Sequence, residues 1–167
     1  YYDFDIEQSV TAEVLAAIEA EMQDIVDSNE SISHQAELLK SVPGVGDKLS
    51  VNMIVITEGF TRFRDARQFN CYAGLAPFQY SSGKSIHSKA KVSQRANKHI
   101  KGLLHLCAVC VSTHALSGEY RDYYERRKAE GKHPMCILNI IRAKIVARMF
   151  SVIRRDTPYK KEYSYAG

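Results

Sequence analysis

From about Ser9 to Asn29, apolar residues recur at Val10, Val14, Ile18, Met22 and Ile25, a spacing of three or four that draws one narrow stripe on a helix whose other faces are acidic. A stripe this narrow calls for a partner helix, as in a coiled coil. A second helix is expected from about Ser33 to Ser41. It stops at Val42-Pro43-Gly44-Val45-Gly46, where Pro and two glycines force a tight turn. A third runs from Asp47 to about Glu58 with Gly59 as its C-terminal cap. A short fourth is opened by Asp65 as N-cap and ends near Gly74. Residues 75–92 break the helical period. There Phe78, Tyr80 and Ile86 flank Ser81-Ser82-Gly83-Lys84, which reads as a two-stranded hairpin or a loop. Ser93 is expected to cap a long helix reaching about Leu116. Further helices follow over about Gly118–Glu130 and Pro134–Arg155, the last with Ile137, Ile140, Ile141, Ile145 and Met149 on one face. No strands alternate with crossover helices, and no internal repeat is visible. The fold class is therefore mainly α: a helical domain over residues 33–155 with a helix-hairpin-helix-like turn and a short β-hairpin. A long acidic coiled-coil-type helix over residues 1–32 precedes it, and a flexible tail over 156–167 follows.

The chain has 167 residues, enough for one domain that buries roughly 70% of its unfolded surface. Its 45% hydrophobic and 25% charged content excludes wholesale disorder and fibrous repeats. The longest stretch free of charge, Gly102 to Gly118, contains His105 and His114 and falls short of the roughly 20 apolar residues of a membrane span. Four cysteines are too few for a disulfide scaffold and suit a reducing cytoplasm. Position 1 is Tyr and no export pattern follows it, so the sequence reads as a piece of something longer.

Charge divides the chain. Residues 1–40 hold ten acids against one Lys, whereas no acid occurs between Asp65 and Glu119, a stretch that carries Arg67, Lys84, Lys89, Lys91, Arg95, Lys98 and Lys101. That is the footprint of a polyanion site, with a solvated basic face as the alternative. The Gly44-Val45-Gly46 turn offers backbone N–H groups at a helix N-terminus, which hold phosphate without reading sequence; the alternative is an ordinary αα-turn. His105, Cys107, Cys110 and His114 lie within ten residues, but one straight helix cannot wrap four ligands around an ion, and small core residues are the better reading. No local carboxylate stands near the serines to orient a histidine, which argues against Ser-His-Asp chemistry. What remains is a serine-rich cationic turn, Ser81 to Lys91. A serine there can attack a phosphodiester if cations or metal ions stabilise the added charge, or it can simply be part of a polar loop.

Ser41-Val42-Pro43-Gly44-Val45-Gly46, Tyr72-Ala73-Gly74-Leu75-Ala76-Pro77, Ser82-Gly83-Lys84-Ser85, Asn97, and Tyr123-Tyr124-Glu125-Arg126 with Gly131-Lys132 occur in an order that resembles the C-terminal domain of the IS110/IS116/IS902 family of insertion-sequence transposases. The likeness covers about residues 33–155. It implies a RuvC-like partner domain whose DEDD carboxylates bind Mg²⁺, and a serine in this domain that attacks DNA. It further implies a structured guide RNA, assembly as dimers or higher, and a bacterial cytoplasmic setting. By position the nucleophile is Ser82, with Ser81 and Ser85 as rivals. Two-metal chemistry would lower the pKa of the attacking hydroxyl, so no histidine need stand beside it. Lys84, Lys89, Lys91, Arg95 and Lys98 would bind phosphate near Ser82, and Gly44 and Gly46 a more distant backbone. The chain departs from the family pattern at Gln94, Ala96, Ile100 and Lys101. It also lacks the DEDD domain, so no metal ligand and no cofactor are assigned within it, and Mg²⁺ is expected only in the full-length protein. A second reading is a nonenzymatic nucleic-acid-binding and dimerisation module.

Overall fold

The computed structural model describes residues 11–78, 81–82, 86–87, 91–92, 97–113 and 118–160. Seven helices make up most of them: α1 (Ala12–Ser28), α2 (Glu30–Lys40), α3 (Asp47–Thr57), α4 (Ala66–Tyr72), α5 (Lys98–Thr113), α6 (Gly118–Ala129) and α7 (Pro134–Arg155). Between α4 and α5 lie four two-residue strands, β1 (Pro77–Phe78), β2 (Ser81–Ser82), β3 (Ile86–His87) and β4 (Lys91–Val92). The protein is mainly helical. No single helix among the described residues is long and apolar enough to cross a membrane.

Local chemistry explains most boundaries. Asn29 is extended, and its Oδ1 accepts from Ser31 N at 3.1 Å and Ile32 N at 3.2 Å, so α2 starts at Glu30, three residues before the expected Ser33. Asp65 caps α4 as expected: its Oδ1 accepts from Gln68 N at 2.8 Å, while Gln68 Oε1 reaches back to accept from Arg64 N, the residue before the cap, at 2.7 Å. The end of α3 differs from the simple glycine cap. Glu58, Gly59 and Phe60 all take positive φ (52°, 65° and 65°), and the Gly59 N–H returns to Ile54 O at 2.9 Å. Thr57 steadies this tight exit, donating to Met53 O at 2.6 Å and accepting from Phe60 N at 3.0 Å. The long helix expected from Ser93 starts at Lys98 instead. Asn97 Oδ1 accepts from His99 N at 3.1 Å and Ile100 N at 3.3 Å, and Ser93 lies outside the described residues.

The 22-residue α7 is the axis of the domain, about 33 Å long, opened by Pro134 after the capping His133. It packs against α2, α4, α5 and α6, so it buries more than one stripe: Ile137, Leu138, Ile141, Ile145, Val146, Met149, Phe150 and Val152 are all inside. Ile140, placed on the expected face, is half-buried. An aromatic cluster fastens α4 to α7, with Phe69 in contact with Phe63, Tyr72 and Phe150, and Phe60 edge-on to Phe150 at 4.9 Å. α1 is helical as expected and touches α2 and α3. Val14, Ile18 and Ile25 of its stripe, and Leu15 beside them, are nonetheless 40–58% exposed within one chain. After α7, where a flexible tail is expected from Asp156, Tyr159 donates its N–H to Ser41 Oγ at 2.8 Å and its hydroxyl to Glu119 at 3.2 Å; residues 161–167 lie outside the description.

Candidate nucleic-acid interface

The segment carrying Ser82 leaves the helical body after Gly74 and returns at Asn97, and both ends are tied to that body. Gly74 turns the chain out of α4 with φ +64°, the left-handed conformation that favours glycine. Asn139 of α7 donates to Leu75 O at 2.8 Å, and Asn97 donates to Tyr72 Oη at 3.3 Å while its own Oδ1 caps α5. Above this root the chain pairs with itself antiparallel: Pro77 opposite Val92, Phe78 opposite Lys91, Ser81 opposite His87 and Ser82 opposite Ile86. Ser82 therefore sits on β2 directly before residues 83–85. Lys91 sits on β4. Lys84, Ser85, Lys89 and Arg95, together with the turn of the expected hairpin, lie outside the described residues. Lys98 is exposed in the first turn of α5, at the positive end of that helix, where a structural role would favour an acid instead.

The two glycines of the helix-hairpin-helix-like turn differ. Gly44 has φ +84°, and a Cβ on it would stand 2.2 Å from Val111 Cγ1 and 3.0 Å from Cys107 Sγ. Its carbonyl accepts from Cys107 Sγ at 2.9 Å. Packing against α5 accounts for Gly44. Gly46 is exposed, N-caps α3 with no side chain, and has open space where a Cβ would go. Val42 and Val45 fix the turn from inside, at 0% and 6% exposure. Lys40 and Asp47 pair across its outer edge at 3.0 Å.

The cysteine and histidine group does not converge. Cys107 is buried, and desolvation pushes its thiol up to about 12, with Cys110 adding to the shift. Cys110 is exposed, so the two cysteines do not share a buried face, and His114 lies outside the described residues. Among the described residues no three His, Cys, Asp or Glu side chains are arranged to hold a metal ion. The Mg²⁺ that the resemblance implies thus has no fitting donor set among the described residues.

Several structural contributors were not singled out from the sequence. Asn139, on the otherwise apolar side of α7, holds the root of the Ser82 segment; a polar residue inside an apolar stripe was the available signal. Arg142, one turn on, is 4% exposed, and its Nε has no hydrogen-bond partner among the described residues. Burial and then the Arg142 charge pull His105 below its ordinary pKa, which keeps the ring neutral at pH 7. Arg148 stacks between Tyr120 at 4.5 Å and Tyr159 at 4.9 Å and pairs with Glu119. In the Tyr123-Tyr124-Glu125-Arg126 motif, the Tyr123 ring receives Lys144 Nζ at 3.8 Å and Arg126 at 5.6 Å. That contact docks α6 on α7.

Residues 36–125, more than half of the chain, match the profile of the Transposase IS116/IS110/IS902 family. The chain belongs to this transposase family. Among its relatives is the 43.6 kDa protein of insertion element IS110 from Streptomyces coelicolor, 32% identical over 86% of this chain and 34% of that protein. Another is the pilin gene-inverting protein of Moraxella bovis, 26% identical over 88% of this chain and 45% of the relative. The insertion element IS116 protein of Streptomyces clavuligerus is 29% identical over 66% of this chain and 27% of its own length. The chain thus spans less than half the length of these relatives.

Proposed function

We propose that this domain binds DNA and supplies Ser82 as the nucleophile with which a transposase cuts and rejoins strands. The observation that carries the reading is the family match over residues 36–125, which includes Ser82. The root of the segment supports it: Asn139, Asn97 and Tyr72 tie both ends of the segment to the body, and Ser82 lies on β2 opposite Ile86. In the proposed step the Ser82 hydroxyl oxygen attacks a backbone phosphorus. One P–O ester bond breaks, a phosphoserine link forms, and the serine proton passes to solvent while the departing strand oxygen takes one up. Attack by a strand hydroxyl on the phosphoserine reverses the exchange, so no high-energy cofactor is consumed. Lys84, Lys89, Lys91, Arg95 and Lys98 would offset the charge of the pentavalent state and hold the neighbouring phosphates.

By the resemblance, the DEDD carboxylates that would hold Mg²⁺ belong to a domain outside these 167 residues. The isolated chain is therefore expected to bind and not to cut. A second copy covering the α1 stripe is the expected assembly, and a structured RNA is the expected guide. The test uses the full-length protein with its RNA and Mg²⁺ on a nicked suicide DNA substrate, followed by mass spectrometry of DNA-linked peptides. The reading requires an adduct on the Ser82 peptide that Ser82→Ala abolishes while binding persists. Cleavage without any serine adduct makes water the nucleophile and leaves a nonenzymatic binding and dimerisation module, a reading that the open stripe of α1 favours.

A further inference from the structure

We propose a second anion site, in the cleft between the start of α4 and the end of α7, that takes the phosphodiester backbone of a nucleic-acid strand. The cleft encloses about 320 Å³, and three of its lining residues are arginines: Arg67, Arg154 and Arg155. Ala66 and Ala147 keep its walls low, and Phe150, locked against Phe60 and Phe69, gives it a rigid floor. The site lies outside the acid-free stretch except for Arg67, and it uses none of the residues assigned to the Ser82 segment.

Against these three arginines the lining sets one carboxylate, Asp65. Arg67 is exposed in the first turn of α4, the positive end of that helix, and makes no ion pair or hydrogen bond among the described residues. Arg154 spends one nitrogen on Arg64 O at 3.1 Å, which fixes its guanidinium at the mouth. The carboxylate in the lining, Asp65, is already the cap of α4, and Asp156 just beyond is bound to His34 at 2.6 Å. The bland explanation is that Arg154 and Arg155 complement the negative end of α7. It accounts for those two and leaves Arg67, which is exposed and has no partner among the described residues. Arginine is also the side chain whose planar fork matches phosphate oxygens two at a time. Exposed Arg64, whose carbonyl holds Arg154, adds a cation beside the cleft, whereas Arg62 is paired with Glu58 and stacked on Phe63 and Tyr72. The seven residues of α4, about 10 Å, separate the cleft from the root of the Ser82 segment. One bound nucleic acid can span both.

The inference rests on nucleic acid as the partner of this domain and not on Ser82 as nucleophile. The test is fluorescence anisotropy of the 167-residue chain on a 40-base-pair duplex DNA and, separately, on a hairpin RNA, each titrated from 50 to 300 mM salt. Arg67→Gln/Arg154→Gln should flatten the log-log salt slope by about 2 and weaken binding at least tenfold at 100 mM salt, with the helical fold retained by circular dichroism despite the lost Arg154 bond to Arg64 O. Arg67→Glu alone, at an exposed position without a partner to lose, should weaken binding without loss of stability, since an acid suits the first turn of a helix. A loss on only one polymer assigns the cleft to DNA or to RNA. Unchanged slopes on both polymers, while Lys84→Gln/Lys89→Gln weakens binding, would overturn the cleft and spare the nucleic-acid reading. Failure of the unaltered chain to bind either polymer would overturn both.

Discussion

Replacing Gly44 by Ala puts a methyl group into occupied space in a backbone conformation that disfavours it. The φ of +84° costs a non-glycine residue about 1–3 kcal/mol. The new Cβ would meet Val111 Cγ1 at 2.2 Å and Cys107 Sγ at 3.0 Å, and forcing an extra carbon into a packed site costs about 1–3 kcal/mol more. Relief by moving the turn would lengthen the Cys107 Sγ to Gly44 O hydrogen bond, now 2.9 Å. The expected loss is therefore about 2–6 kcal/mol, against a total of about 5–15 kcal/mol for a native domain. At about 2–4 °C per kcal/mol for a chain of this size, a mid-range 4 kcal/mol lowers the melting midpoint by about 8–16 °C. Gly46→Ala is the control two residues away: negative φ, open space, and a cost below about 1 kcal/mol from the poorer cap. Urea unfolding followed by circular dichroism measures both. Adding Val111→Ala to Gly44→Ala removes the group in closest conflict, so the pair should show a favourable coupling of about 0.5–3 kcal/mol. Equal stability of the Gly44 and Gly46 variants, or strict additivity in the pair, would refute the packing account of Gly44. Gly46→Asp then tests the other half of the turn, since it should leave stability nearly intact and weaken DNA binding if the exposed N–H groups meet phosphate.

Asn139→Ala strips the Leu75 carbonyl of its donor; the expected cost is about 1–2 kcal/mol, with faster protease cleavage within residues 77–96 as the specific readout. Native Cys107 should resist a thiol reagent at pH 8 while exposed Cys110 and Cys136 react, and full labelling should appear only in denaturant. The same thiol gives a pH dependence. Its folded pKa of about 12 lies above the ordinary 9.0, so the unfolded chain loses the proton first and stability falls as pH rises from about 9 toward 12; Cys107→Ala should flatten the part of that decline between pH 9 and 10. Sedimentation at tens of micromolar should show association through α1, and Ile18→Glu should abolish it; a monomeric parent chain would refute the pairing.

Elements whose ends carry a single adequate signal were legible in the sequence, and those with competing signals were not. Asp65 with Gln68, and Pro134 at the start of α7, each have one interpretation. Before α5 the expected cap is Ser93, but the helix starts at Lys98 and Asn97 caps it, with a side chain that also reaches Tyr72 on another helix, a contact between positions 25 apart that no local pattern announces. The same limit applied to the candidate sites. Ser82 was picked out by its resemblance to the family, because residue types alone fit a polar loop equally well. The stripe of α1 was plain, but what covers it is a property of a second molecule. The arginine cleft was the least legible feature, since Arg67 and the pair at 154–155 lie almost ninety residues apart and each looks like a surface cation in its own helix. Only the aromatic packing of Phe69 against Phe150, which brings α4 onto the end of α7, puts those charges on opposite walls of one cleft. Hydrophobic contacts thus determine where the cations meet. Exchanging Phe150 for Leu should consequently weaken nucleic-acid binding through the cleft by loosening α4, without removing a single charge.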